Sequence, residues 1–282
     1  MKKLIERLLL FFLGLPLFVA SVFFLPYYGY LFLQIEILLF TVFGIYEMRS
    51  MLKLKLPVIS LPLSVLTGML VPIAAFMYAV FDAPYRVITF SLSLACLIVF
   101  FAEFLDSFSG SFEKATGRIA SSLMIIIYPG YLVTYVTTMT IRENAGALLS
   151  VFFMMVFFCD SLAWFFGMLF GKGNRGLIPA SPNKSLLGFF GGYFGSISAG
   201  VLSTFLFPEV YGGHIRQLVI IGFFTATAAI IGDIVESVLK RSTGIKDSGS
   251  LVPGRGGVLD SIDSILLAAP VFYILTDIFF GS

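Results

Sequence analysis

The chain has 282 residues, 59% of them hydrophobic and 16% aromatic, and a mean hydropathy of +1.01. Charged residues make up 12% and the net charge is +2. This composition excludes an ordinary soluble domain and any bulk electrostatic attraction to nucleic acid. Cys96 and Cys159 both fall in apolar segments and read as small buried hydrophobes, not as a disulfide or a metal pair.

Nine apolar runs are about as long as a bilayer core is thick, at 8–25, 30–46, 58–81, 87–105, 119–138, 147–170, 186–207, 218–239 and 258–280. Lipid tolerates no exposed irregular backbone, so each run predicts a helix. The first follows a basic start, as in a signal peptide, but no small-residue cleavage site follows it, and it reads as the first span. The expected fold is all-α, a polytopic integral membrane protein of about nine transmembrane helices with no linker and no soluble domain. N-terminal spans occupy 1–140 and a C-terminal catalytic region occupies 141–282. With a cytoplasmic N-terminus, only Arg86, Arg142 and Arg216 of the 18 Lys and Arg fall outside. The positive-inside rule therefore puts the N-terminus and the two long polar loops, 171–185 and 241–257, in the cytoplasm. An odd helix count puts the C-terminus outside.

The polar residues concentrate near the C-terminus. Asp233, Glu236, Ser237 and Lys240 are spaced three, four and seven apart, on one face of an otherwise apolar helix. A carboxylate inside a membrane costs several kcal/mol unless paired or metal-bound, so these acids read either as an interhelical ion pair or as functional groups. Asp260 and Asp263 open the last helix, where the helix dipole alone favours acids. Before them runs Pro253-Gly254-Arg255-Gly256-Gly257. Glycines allow close approach of backbone amides to an anion, and an arginine grips two oxygens. With Lys240, Arg241, Lys246 and Asp247 upstream, the segment offers carboxylates for a hard cation and basic groups for phosphates. Beside a bilayer, that combination points to chemistry on a phosphorylated lipid. Asp160 sits alone inside another apolar run, and the loop after it carries Lys172, Arg175, Ser181-Pro182 and Lys184. Positive-inside orientation alone accounts for those basic residues; it does not account for Asp160. Close spacing of Gly188, Gly191, Gly192 and Gly195 predicts tight helix packing.

From Gly232-Asp233 through Glu236-Ser237, Leu239-Lys240-Arg241, Lys246-Asp247 and Gly249 to Pro253-Gly254, Gly256-Gly257, Asp260 and Asp263, the sequence resembles the signature of the CDP-diacylglycerol synthases, or phosphatidate cytidylyltransferases. Upstream, Asp160, Ala163, Gly167, Phe170-Gly171-Lys172, Ser181-Pro182, Lys184 and Gly188 also match. The motifs cover about the last 120 residues. There are departures. The family usually has His at Arg255, Arg at Ser261, Lys at Asn183, Thr at Ser185 and Glu at Leu187.

The resemblance implies that phosphatidate and CTP give CDP-diacylglycerol and pyrophosphate, by in-line attack on the α-phosphorus in the bilayer. It implies Mg2+, with a second cation nearby, held by Asp233, Asp260 and Asp263. Lys240 and Lys246 would act at the reacting phosphates. Arg241, Asp247, Arg255, Gly256, Gly257, Lys172, Lys184, Ser181 and Asp160 would contact substrate, Arg255 as a phosphate clamp. A homodimer in a bacterial inner membrane is part of the same expectation, and nucleic acid is not. Two other classes stay open, a CTP-dependent lipid-alcohol kinase and a membrane transporter.

Overall fold

The structure, a computed structural model, describes residues 19–22, 25–110, 112–252 and 256–281. Among these residues the regular structure is helical, with two isolated β-bridges, Arg175–Ser185 and Val252–Gly256. Eight helices are long and apolar enough to span a bilayer: α1 Tyr27–Leu52, α2 Leu61–Phe81, α3 Arg86–Asp106, α4 Ala115–Met139, α5 Ala145–Phe170, α6 Leu186–Leu206, α7 Ile215–Ser242 and α8 Leu259–Phe280. The protein is an all-α, multi-pass membrane protein. The expected span at 8–25 lies mostly outside the described residues; the other eight each coincide with a helix.

The largest difference in an end is at α1, which runs six residues past the apolar run. The run stops at Tyr46 because Glu47 and Arg49 follow. Both are satisfied within the fold, Arg49 by donating Nε and Nη2 to the Ile59 carbonyl at 3.0 and 2.8 Å. The helix therefore continues to Leu52. Hydroxyls inside the spans donate to their own helix, as Thr41 does to the Ile37 carbonyl (2.8 Å) and Thr67 to that of Leu63 (2.9 Å). In this way these two hydroxyls add no unsatisfied group in hydrocarbon.

The chain forms two compact units. The first takes Met1–Ile141 and Thr243–Ser261 and contains α1 to α4 with the signature loop. On α3, Phe90, Leu97, Phe101 and Phe104 form an exposed stripe, while Ala95 and Val99 are buried with Ile126 of α4. The stripe is the pattern of a helix with one face to lipid. α4 is interrupted by a π turn, Ile126–Tyr131, at Pro129. A proline has no N–H to continue an α-helical ladder, and a widened turn accommodates it. Inside this unit Gln34 of α1 donates to Thr140 and accepts from Thr137, both at 3.0 Å, a buried clasp on α4. Arg118 grips both oxygens of Glu103, at 2.7 and 2.6 Å, and joins α4 to α3.

The second unit takes Arg142–Ser242 and Ile262–Ser282. Its tightest packing is α6 on α5. A Cβ on Gly191 would come within 2.6 Å of the Leu162 carbonyl oxygen, and one on Gly192 within 3.1 Å of Cys159 Sγ. A Cβ on Gly195 would overlap the Phe158 carbonyl outright. The expected small-residue face of α6 is thus a backbone-to-backbone contact, in which dispersion and close approach replace the hydrophobic drive that lipid abolishes. Ser196 donates to the Gly222 carbonyl at 2.8 Å and ties the other side of α6 to α7. Phe152 of α5 stacks near Phe272 of α8, with ring centroids 5.2 Å apart.

Gly195→Leu is expected to lower the thermal midpoint in detergent and the monodisperse yield sharply, since it must separate two helix backbones; ordinary overpacking alone costs about 1–3 kcal/mol. Gly173→Ala, where nothing lies within 4 Å of the added carbon, is expected to match wild type in the same fluorescence size-exclusion measurement.

Candidate functional site

The signature loop leaves α7 after Ser242 and enters α8 at Leu259. Four carbonyl-starved amides at that entry all have acceptors. Gly256 N donates to the Val252 carbonyl (3.0 Å) and Gly257 N to Asp260 Oδ2 (2.7 Å). Val258 N and Leu259 N donate to the two oxygens of Glu47, at 3.0 and 2.9 Å. Asp260 Oδ2 also accepts from Ser248 N (2.8 Å) and Ser248 Oγ (2.9 Å), and Ser248 Oγ lies 3.0 Å from Glu47 Oε2. Ser248 therefore sits between two carboxylates that together hold the loop.

This arrangement gives Gly249, Gly256 and Gly257 a role within the fold. A side chain at Gly249 or Gly257 would run into the Glu47 carboxylate. Gly256 has φ +115°, and a Cβ there would lie 2.7 Å from Asp260 Oδ2. Lys246 and Asp247 are exposed at the loop's edge. Arg255, with Pro253 and Gly254, lies outside the described residues.

In the second unit the acids gather toward the C-terminal halves of α5 and α7 and the first turns of α8. Asp233 of α7 pairs with Lys184 from the loop before α6, at 2.6 Å. Glu236 is fully buried and forms an ion pair with Lys240, one turn further along α7. Asp263 of α8 is buried and accepts from the Ser264 amide at 2.7 Å. Ser264 Oγ reaches Asp160 of α5 at 3.2 Å. The helices meet closely here: a Cβ on Gly232 would be 2.5 Å from the Asp263 carbonyl oxygen. Arg241 Nε donates to the Ala180 carbonyl (3.2 Å), and Lys184 N donates to that of Ser181 (3.1 Å), so the loop between α5 and α6 is folded onto the end of α7. Ser185 caps α6 by accepting from Gly188 N at 3.0 Å, work that a threonine would do equally.

Of the residues expected from the sequence, Asp160, Ser181, Lys184, Asp233, Lys240, Arg241 and Asp263 therefore come together in the second unit. Lys246, Asp247, Gly256, Gly257 and Asp260 belong to the loop of the first. Lys172 is exposed in the turn Gly171–Gly173. Asp260 and Asp263 lie one turn apart on α8. The sequence reading missed Glu47, 2% exposed, along with Ser248 and Ser264. An acid directly after an apolar run was the available signal for Glu47; its partners, some 200 residues away in the chain, were not visible.

The donor chemistry of these acids, all carboxylate oxygen, fits a hard cation such as Mg2+, which takes one or two protein carboxylates and completes its shell with water and phosphate oxygens. Among the described residues, no three His, Cys, Asp or Glu are placed as a closed metal cage. Lys184 and Lys240 are counter-ions to Asp233 and Glu236.

Residues 5–279 match the sequence profile of the cytidylyltransferase family. The chain belongs to that family. It is 35% identical over 161 residues to the phosphatidate cytidylyltransferase of Helicobacter pylori, covering 56% of this chain and 57% of the relative. To the phosphatidate cytidylyltransferase of Thermotoga maritima it is 44% identical over 145 residues, 49% of this chain and 51% of the relative. It is also 36% identical over 137 residues to an uncharacterized Escherichia coli protein, YnbB, covering 48% of this chain and 44% of that one. The chain thus spans about half the length of the curated relatives that it matches.

The buried Glu236–Lys240 pair makes a separate expectation. Lys240→Met leaves a carboxylate at zero exposure without its ammonium, a loss of about 3–5 kcal/mol. The double variant Glu236→Leu/Lys240→Met is expected to recover much of the thermal midpoint in detergent. A double variant less stable than Lys240→Met would contradict the pairing.

Proposed function

We propose that the protein is a phosphatidate cytidylyltransferase, converting CTP and phosphatidate into CDP-diacylglycerol and pyrophosphate. What carries this reading is the gathering of Asp160, Asp233, Asp263, Lys184 and Lys240 in one half of the membrane-spanning helices, in a chain of the cytidylyltransferase family. A phosphate oxygen of phosphatidate forms a bond to the α-phosphorus of CTP. The bond from that phosphorus to the bridging oxygen breaks, and pyrophosphate leaves with the electron pair. The attacking phosphate is already anionic at neutral pH, so no general base and no covalent intermediate are required. Positioning and charge neutralisation carry the rate.

In this reading carboxylates among Asp233, Asp260 and Asp263 would hold Mg2+, one or two of them at a time, and the ion would supply positive charge to the phosphate oxygens. Lys240, Lys246, Arg241, Lys184 and Arg255 bind phosphates by side-chain contact. The described loop amides at 256–259 already donate within the protein, so the basic side chains take the larger share. Diacyl tails remain in hydrocarbon while the headgroup meets a water-soluble nucleotide. That requirement puts the site at the helix ends, with the N-terminus and both polar loops cytoplasmic in a bacterial inner membrane and the C-terminus outside.

Purified protein with CTP, Mg2+ and phosphatidate is expected to release pyrophosphate in equal amount to CDP-diacylglycerol. Release of CDP would identify a γ-phosphate kinase, and intact CTP with lipid movement a transporter. Asp233→Asn and Asp263→Asn are each expected to lose more than tenfold in kcat, over about 1.4 kcal/mol of barrier, while still purifying; chelation of Mg2+ is expected to stop turnover of wild type.

Topology is tested separately. In a Cys96→Ser/Cys159→Ser background, single cysteines at Lys53 and Lys246 are expected to resist a membrane-impermeant maleimide in intact cells, and one at Arg216 to react. Labelling at Lys246 from outside would reverse the orientation.

A further inference from the structure

We propose that Glu47 is a positioning residue of the candidate site. From α1 it fixes the entry of α8 at Val258 and Leu259 and the loop at Ser248, and so sets where Asp260 is presented. This rests on the cytidylyltransferase reading for its kinetic consequences, but its geometry stands independently.

Glu47 is buried to 2% exposure and accepts from two α8-entry amides and approaches Ser248 Oγ, all within 3.0 Å. The first N–H groups of a helix have no partner inside it, and an anion there also complements the helix dipole. Glu47 supplies both functions from a residue 211 positions away in the chain. Ser248 then links the same carboxylate to Asp260, which in turn receives Gly257 N. Two signature glycines, Gly249 and Gly257, are shaped by it, since any side chain at either would displace the carboxylate. Its own helix end is braced by Arg49 on the Ile59 carbonyl. A buried carboxylate is costly, and well-packed apolar residues generally stabilise a fold as well or better. What a carboxylate adds is direction: two oxygens with fixed lone-pair positions hold two adjacent amides in one register. A further consequence is that the N-terminus of α8 already has its anion. A substrate phosphate is therefore steered from the helix end toward the basic side chains.

The test compares Glu47→Ala and Glu47→Asp with Gln34→Leu, a buried polar change on the same helix that touches only α1, α4 and their turns. Hydrogen exchange of peptides covering 243–261 is read without substrate, and kcat, KM for CTP and the Mg2+ concentration for half-maximal rate are read with it, per folded molecule. Glu47→Ala is expected to speed exchange in 248–259 by about tenfold or more, leave α2 and α3 peptides protected, lower kcat at least tenfold and raise the Mg2+ requirement severalfold. Glu47→Asp, which keeps the charge, is expected to recover part of each. Gln34→Leu is expected to lower the thermal midpoint while leaving local exchange and the Mg2+ requirement at wild-type values. Where Glu47→Ala does not accumulate, Glu47→Gln is read in the same way: it keeps the volume but turns an NH2 toward one donor. Unchanged exchange in 248–259, or an activity loss no larger than the loss of folded protein, overturns the proposal. A wild type that consumes no CTP with phosphatidate overturns the proposed reaction instead, and the exchange measurement still decides the role of Glu47.

Discussion

A carboxylate carried into apolar surroundings costs several kcal/mol unless donors or cations compensate it. That constraint organises both units of this protein. In the first, Glu47 and Asp260 are compensated by backbone amides and a serine, so the compensation builds a loop. In the second, Asp233 and Glu236 are compensated by ammonium groups, so the compensation brings Lys184 and Lys240 to the acids. The two solutions have different chemical consequences. Amides fixed in a loop are rigid donors that hold the carboxylates in one geometry. Lysines on flexible stems give positive charge that can exchange one anion for another, which the proposed transfer between phosphates would use.

Glycine serves the same constraint in two ways. On α6 it removes side chains so that backbones meet, as at Gly195 against the Phe158 carbonyl. In the signature loop it removes side chains so that carboxylates fit, as at Gly249 and Gly257 against Glu47. The first use is generic to helices in lipid, where shape and close approach must hold the bundle. The second is specific to this site. A glycine-rich run before an acidic helix start looks the same in sequence whether its amides face an external anion or an internal one.

The spans were legible because hydropathy reports the bilayer directly: eight of the expected runs coincide with helices, and the small-residue face of α6 packs as its spacing implied. The acids of α7 and α8 were legible for a related reason, since charge within an apolar run stands out. What could not be read was pairing. Asp233 finds Lys184, 49 residues earlier, and the basic loop before α6 reads as orientation signal on composition and as substrate contact by resemblance, neither of which names Asp233 as its partner. Glu47 terminated an apolar run and so looked like the end of a helix, whereas its burial depends on amides that only the folded loop supplies. Hydropathy scores a side chain by what it is, and burial is decided by what it meets.

The same reasoning bears on the proposed nucleotide transfer. A lipid substrate would lose about 0.8 kcal/mol for each methylene brought into water, so under that proposal the nucleotide comes to the bilayer. A site there has little soluble framework to orient its groups; orientation has to come from helix termini and the short loops between them. A helix terminus is suited to this because its unpaired amides demand acceptors. Once Glu47 and Asp260 meet that demand, the start of α8 is fixed in direction. Flexible basic side chains can then adapt to substrates without disturbing the acids. Rigid carboxylates and mobile cations are thus a division of labour set by which groups the backbone can hold.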